Sequence, residues 1–283
     1  MIRYPNVKIN LGLRVLRKRS DGYHDLETLF VPYSGIHDTL EIIPADAWSE
    51  TSAEMFGKYG SEGIAQAVSP DGKAMITIAK RGGVGWDPLD DLTLRAYQLL
   101  DAELGLPSVK IFLEKTSPVG AGLGGGSADA ASALGMLSEL FALGLSTESL
   151  AAYAARLGSD CPFFIYNRPM FGEGRGERLT PYPLDDIDSP GGRYRLEVII
   201  PEGISVSTAE AYRGIEPYEG SPLREALAQP VEEWKNCLVN DFEKTVFAAH
   251  PALYDIKQSL YDRGAVYAAM SGSGSALFAL WNR

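Results

Sequence analysis

One stretch, Pro118 to Ala130, constrains this chain more than any other. It reads P-V-G-A-G-L-G-G-G-S-A-D-A and carries Gly120, Gly122, Gly124, Gly125 and Gly126. Glycine reaches positive φ and lets backbone or ligand approach closely, at an entropic cost, so packing alone does not account for such a run. Directly after it, Ala130, Ala131, Ala133, Leu134, Leu137, Leu140 and Phe141 recur at helical spacing. The spacing predicts a helix beginning near Ser127. A glycine loop that opens a helix presents unpaired N–H groups at the positive end of a dipole, the ingredients of a phosphate cradle. A flexible linker is polar and does not run straight into an apolar helix.

The loop is not a Walker A motif, because neither Gly-Lys-Ser nor Gly-Lys-Thr occurs in the chain. Gly120, Gly122 and Gly125 satisfy G-x-G-x-x-G after a strand expected at Val109 to Leu113. A dinucleotide-binding unit also needs a second strand after the helix, ending in an acidic residue. Here Gly144 and Ser146 lead into another helix, Thr147 to Leu157. The order strand, helix, helix makes dinucleotide binding the weaker reading.

The 283 residues suffice for one large or two ordinary domains. No apolar run is long enough to span a membrane, and the alternating Met1 to Leu16 does not read as a signal peptide. Cys161 and Cys237 have neither disulfide nor zinc spacing, which fits a reducing cytoplasm. A net charge of −11 argues against nucleic acid as a partner. It also means that an anionic ligand needs a local positive field.

Val7, Ile9, Leu11, Leu13 and Val15 alternate with Lys8, Asn10, Gly12 and Arg14, predicting a strand whose Lys8 and Asn10 point together off the core. Arg14, Arg17, Lys18 and Arg19 form the densest basic cluster, followed by the turn Asp21-Gly22-Tyr23-His24. Further strands are expected at Leu26 to Val31 and Thr39 to Ile43. Residues 45–87 read as a surface excursion with one strand at Met75 to Ile78, and a helix is expected over Leu89 to Leu104. Gly158-Ser159-Asp160-Cys161-Pro162 breaks the chain, with Pro162 restricting Cys161 to extended backbone; a domain boundary fits there, dividing 1–157 from 158–283. Short strands are expected at Phe163 to Ile165, Met170 to Gly172 and Arg178 to Leu179, and a stronger one at Arg193 to Ile200. Ser207-Thr208-Ala209-Glu210 has capping-box form. Ser221-Pro222 opens another helix, and Pro251 to Arg263 is a helix closed by Gly264. Ser271-Gly272-Ser273-Gly274 interrupts two final strands, as a hairpin or as a second phosphate-facing backbone.

Together these pieces resemble the GHMP kinase superfamily, whose three motifs are an N-terminal strand, a glycine loop and a C-terminal glycine motif. Pro118 to Ala128 resembles the second and Met270 to Gly274 the third. Lys8-Ile9-Asn10-Leu11 with Asp21-Gly22-Tyr23-His24, the triple glycine Gly124-Gly125-Gly126 and Gly158-Ser159-Asp160 resemble, more particularly, the branch acting on a cytidine-diphosphate polyol of isoprenoid precursor synthesis. The resemblance implies an α+β fold of two domains, an N-terminal ribosomal-protein-S5-like domain and a C-terminal ferredoxin-like α/β-sandwich, with the active site in the cleft between them. It implies ATP as phosphoryl donor, Mg²⁺ as its counter-ion, and a small-molecule acceptor carrying a cytidine diphosphate group. Two departures stand out. Asn6-Val7 replaces the usual Pro-Ala before the lysine, and Asp91 stands where an Asn usually opens the adenine-side helix, which leaves Asp91 a doubtful nucleotide contact.

By that resemblance Lys8 and Asp160 are catalytic, Asp160 taking the acceptor's proton and Lys8 favouring the alkoxide. Pro118, Val119, Gly120, Ala121, Gly122, Leu123, Gly124, Gly125, Gly126, Ser127 and Ala128 hold ATP, with Ser127 offering a hydroxyl to phosphate or metal. Asn10, Tyr23, His24, Thr208 and Tyr212 hold the acceptor, the two tyrosines as a clamp on cytosine. The bland alternatives are a solvated strand lysine, an Asp that caps a turn, and half-buried packing tyrosines. His37 and His250 read as structural or surface residues, and no metal ligands are identified. The rival functions are another GHMP small-molecule kinase of homoserine or mevalonate type and a non-catalytic nucleotide-binding protein.

Overall fold

The computed structural model describes residues 1–218 and 220–283. Its strands, in chain order, are β1 (Ile2–Arg3), β2 (Asn6–Lys18), β3 (His24–His37), β4 (Thr39–Pro44), β5 (Ile64–Val68), β6 (Ala74–Lys80), β7 (Val109–Lys115), β8 (Met170–Gly174), β9 (Arg178–Pro181), β10 (Tyr194–Ile199), β11 (Tyr267–Met270) and β12 (Leu277–Asn282). By contact the chain forms two compact units, each discontinuous. One comprises Met1–Val7, Tyr33–Val119 and Gly124–Asn167; the other comprises Lys8–Pro32, Gly120–Leu123 and Arg168–Arg283. The sequence suggests a single cut after residue 157. By contact, the residues of β2 from Lys8 onward fall in the unit that also holds the C-terminus.

The first unit is built on a five-stranded sheet of order β1-β4-β7-β6-β5, in which only β6 and β7 run parallel. Period-two alternation in β7 divides its side chains between two layers. Val109, Ile111 and Leu113 enter the main core, and Phe112 enters a smaller one. The main core is closed by α2 (Leu92–Leu104), α3 (Gly125–Leu140), α4 (Thr147–Leu157) and α5 (Cys161–Tyr166), through residues such as Tyr97, Leu100, Leu134 and Leu137. The smaller core is covered by α1 (Ser52–Tyr59) through Met55.

The second unit holds two sheets, β2-β3-β8-β9 and β10-β12-β11. Leu13 and Val15 of β2 share a core with Phe242, Val246, Leu253 and Leu277, supplied in part by helices over Phe242–Ala249 and Pro251–Asp262. The fold is α+β.

Three expectations change. The 45–87 segment is no surface excursion: β6 lies inside the sheet, and Ile76 and Ile78 are fully buried. The helix over Ser52–Tyr59 is fixed from a distance, because the buried Glu41 carboxylate accepts from the Ser49 and Thr51 hydroxyls and from the Glu50 and Thr51 N–H groups. Phe163 to Ile165 is helical, not a strand. Pro162 falls in the first turn of α5, where a missing N–H costs nothing, and Cys161 is the first helical residue rather than extended. The helix after the glycine loop begins at Gly125, two residues before Ser127.

Candidate active site

The glycine loop is shaped by different forces at successive positions. Gly120, Gly122 and Gly124 adopt φ of +74°, +76° and +72°, in the left-handed region. At Gly122, in the second unit, a Cβ would also lie 2.1 Å from the Ser271 carbonyl oxygen. Gly125, in the first unit, opens α3, and a Cβ there would lie 2.3 Å from the Ser117 hydroxyl. Gly126 differs from all of these. It is exposed, its φ is not positive, and a Cβ would meet nothing closer than a Leu92 methyl at 4.0 Å. No internal feature demands glycine at 126, which fits a surface kept bare for a ligand. Ala121, Leu123 and Ala128 are buried and anchor the loop, while Pro118 is half-buried and Val119 exposed.

Beneath the start of α3 lies a buried ionic cluster that the sequence did not announce. The Lys115 ammonium donates to Asp38 at 2.5 Å, to Asp129 at 2.7 Å and to the Ser117 hydroxyl at 3.0 Å. Asp38 also accepts from the N–H groups of Thr116 and Ser117. Burial, aided by Asp38, pushes the Asp129 carboxyl well above the ordinary carboxylate range against the pull of Lys115, and its second oxygen has no hydrogen-bond partner. Ser127 stands on the first turn of α3 and hydrogen-bonds to Cys161, whose thiol burial pushes up to about 12. The adjoining Asp160 occupies the N-cap position of α5, yet its side chain makes no capping bond. Asp91, by contrast, caps α2: it accepts from the Thr93 N–H and hydroxyl through one oxygen and from the Trp86 indole through the other. That capping role accounts for Asp91 without a nucleotide.

In the second unit, Lys8 and Asn10 share a face of β2 as expected, but they are not solvated: each is 3% exposed. Backbone from two glycine motifs covers them. The Lys8 ammonium donates to the Asn10 side-chain oxygen at 2.5 Å and to the Gly122 carbonyl at 3.1 Å, and it stands 5.4 Å from the Phe30 ring centre. The Asn10 amide donates to the Thr28 hydroxyl, which fixes its orientation. The Ser271–Gly274 segment joins the antiparallel β11 and β12, so it is a hairpin connection that also packs on Gly122.

The residues expected to hold the acceptor lie in this same unit. His24 stacks on Tyr212, ring centres 4.6 Å apart, and Tyr212 meets Phe242 edge-on at 4.7 Å. Burial and the Lys18 charge hold the His24 imidazole below its usual range, so it is neutral at pH 7. Tyr23 is 56% exposed, with the Arg175 guanidinium 4.9 Å from its ring centre. Thr208 begins the helix capped by Ser207, and its hydroxyl is 3.4 Å from that of Ser273. The basic cluster is largely neutralised: Arg17 and Arg19 pair with Asp25, Arg19 also with Asp21, and buried Arg14 with Asp241. His250 pairs with Glu210, and His37 packs edge-on against Tyr4. Among the described residues no group of three or more acidic, histidine or cysteine side chains is placed to hold a metal ion, and no helix is long and apolar enough to cross a membrane.

Residues 91–168 match the model of the GHMP kinases N terminal domain, and residues 223–283 match that of the GHMP kinases C terminal. The 4-diphosphocytidyl-2-C-methyl-D-erythritol kinase of Bacteroides fragilis is 44% identical over 284 residues, which cover 100% of this chain and 92% of that protein. The enzyme of the same name from Nitratidesulfovibrio vulgaris is 35% identical, over 98% of this chain and 88% of its own. A crystal structure of 4-(cytidine 5'-diphospho)-2C-methyl-D-erythritol kinase superposes with a TM-score of 0.72 at 33% identity, covering 99% of this chain and 90% of the other. A mevalonate kinase structure superposes with a TM-score of 0.62 at 14% identity, a likeness of fold alone.

Proposed function

This chain belongs to the GHMP kinases and, within them, to the family of 4-diphosphocytidyl-2-C-methyl-D-erythritol kinases, and we infer that it transfers the γ-phosphoryl group of ATP to the 2-hydroxyl of that cytidine diphosphate acceptor. The observation that carries the reading is the Lys8 ammonium, buried and bonded to a carbonyl of the glycine loop itself. A cation fixed to the phosphate loop by its own backbone supports stabilisation of the charge that develops on a transferring phosphoryl group.

Phosphoryl transfer asks the protein mainly for positioning and electrostatics. The loop from Pro118 to Ala128 supplies backbone donors, and the first turn of α3 adds its dipole. The bare surface at Gly126 lets phosphate oxygens approach the backbone. Asp160 takes the proton from the acceptor hydroxyl as its oxygen attacks the γ-phosphorus and the bond to the ADP oxygen breaks. Lys8 stabilises the alkoxide and the phosphoryl oxygens. Mg²⁺ bound with the nucleotide would supply neutralisation of phosphate charge, and the Ser127 hydroxyl on the first turn of α3 would be offered to it or to a phosphate oxygen.

Asn10, Thr208, His24, Tyr23 and Tyr212 serve the acceptor. Stacking requires an open aromatic face; Tyr23 offers one, and on Tyr212 the neutral His24 ring holds the place of a base. His24 contacts the cytosine edge through its backbone or its ring. Two unpaired thiols fit action in a reducing cytoplasm. The net negative charge leaves nucleic acid an unfavourable partner. The test is coupled ADP release with ATP and the cytidine diphosphate acceptor, run against homoserine and mevalonate. Turnover of either of those in its place would overturn the reading.

A further inference from the structure

Asn240 is 1% exposed, and both its side-chain amide and its side-chain oxygen are hydrogen-bonded. Its amide donates to the Met270 carbonyl at 2.8 Å and to the Gly272 carbonyl at 2.8 Å, while its oxygen accepts from the Phe242 N–H at 3.0 Å. Met270 and Gly272 flank Ser271, so one side chain fixes the carbonyl directions on both sides of that serine. The Ser271 hydroxyl accepts from the Asn10 N–H at 3.2 Å and donates to the Gly122 carbonyl at 3.0 Å. That carbonyl is one the Lys8 ammonium also uses, and the Asn10 side chain accepts from the same ammonium. Gly272 closes the same contact, since a Cβ there would lie 3.0 Å from the Asn10 oxygen and 3.0 Å from the Gly122 carbonyl oxygen.

Asn240 is itself held by the strand it serves. It forms a parallel bridge with Leu13, the Leu13 N–H donates to Val239, and the Asp241 N–H donates to Leu13. The Asp241 carboxylate then accepts from the Val15 N–H at 2.8 Å and from Arg14 at 3.1 Å. The path leaves β2 at Leu13, passes through Asn240 to the Ser271 loop, and returns to β2 at Asn10. Every member belongs to the second unit.

We propose that Asn240 is a positioning residue for phosphoryl transfer, holding the Ser271–Gly274 loop so that Gly122 and Asn10 fix the Lys8 ammonium in one place. The proposal rests on the function inferred above. Charge stabilisation falls when its donor is free to wander, because the preorganisation is lost, whereas the nucleotide's ground-state contacts along the rest of the glycine loop are untouched. Asn240 therefore acts on kcat rather than on ATP affinity.

The experiment compares Asn240→Ala, Ser271→Ala and the double variant with the wild type, measuring kcat, both KM values and thermal melts. Each single variant is expected to lose about tenfold to a hundredfold in kcat, with the ATP KM changed by less than about threefold. Because the two residues act along one path, the double variant should be no worse than Asn240→Ala by more than about threefold. Multiplicative losses, or a lowered melting temperature with unchanged kcat, overturn the proposal. If Asn240→Ala does not fold, Ser271→Ala decides: a kcat equal to that of the wild type overturns the proposal, and a selective kcat loss supports it. A wild-type enzyme inert toward the acceptor overturns the proposed function instead, so the two failures are distinguishable.

Discussion

Gly122 and Ser271, 149 residues apart in sequence, are packed backbone to backbone, leaving no room for a single methyl group between the Gly122 Cα and the Ser271 carbonyl oxygen. Two glycine motifs that look independent in the sequence are one piece of structure.

That contact separates the glycines by their reasons. Gly122→Ala must adopt φ +76°, at a cost of roughly 1–3 kcal/mol for a non-glycine residue, and it must also push the Ser271 loop away. A lowered melting temperature is expected. Gly126→Ala meets neither obstacle and should melt with the wild type, yet raise the ATP KM, because its methyl group would stand on the ligand side. Unchanged ATP binding in a folded Gly126→Ala would remove this position from the cradle.

Asp160→Asn should keep ATP affinity and lower kcat by roughly 10²-fold or more, since it removes proton acceptance and little binding. Lys8→Met keeps the stem and deletes the charge, so kcat should fall further than the ATP KM rises. Steady-state kinetics on both substrates checks the pair. A pure ATP KM effect in Lys8→Met would recast the lysine as a ground-state phosphate contact.

Tyr23→Ala and Tyr212→Ala should each lose about tenfold to a hundredfold in kcat/KM for the acceptor, from a base stack worth roughly 1–3 kcal/mol. Phe at either position should restore most of it, and the ATP KM should stay in place. Folded Ala variants with full acceptor affinity would break the cytosine clamp.

Asp129 gives a pH signature. Its folded-state pKa lies above the unfolded value near 4, so the native chain binds that proton more tightly. The associated stability is fully present below the unfolded pKa and is lost as pH rises through the folded pKa. Asp129→Asn cannot titrate, so its stability relative to the wild type should improve from pH 4 upward and then level off. Urea unfolding of both proteins across that range tests this; a pH-independent gap rules it out.

The Cys161 thiol, pushed up to about 12 by burial, stays protonated at neutral pH. Thiolate, not thiol, is the nucleophile. An aromatic disulfide reagent at pH 8 should leave Cys161 unlabelled in the folded protein and label it after denaturation, read by peptide mass spectrometry.

Local physics wrote much of this into the sequence. The period-two alternation from Val7 to Val15, the helical spacing after the glycine loop, the Ser146 and Ser207 caps and the glycine stop at 264 all act within a few residues, and each element formed where those signals stand. The motifs around Lys8, Tyr23, Gly124 and Asp160 carried the family for the same reason: each is contiguous.

What only the tertiary structure decided depends on partners far away in the chain. The short apolar run at Met75 to Ile78 became an interior strand because β7 lies beside it. The helix over Phe242–Ala249 is only eight residues long and buries just Phe242 and Val246, so its apolar face makes sense only against Leu13 and Val15 of β2. Lys8 looks like a solvated strand lysine until the 120–123 and 271–274 backbones close over it, and Asn240 reads locally as no more than an Asx turn ahead of a helix until its amide meets the Met270 and Gly272 carbonyls. Alternation determines which face a side chain takes, but burial on that face is set by whatever else packs there. That information lies in contacts between residues from about thirty to more than two hundred positions apart, which no local pattern encodes.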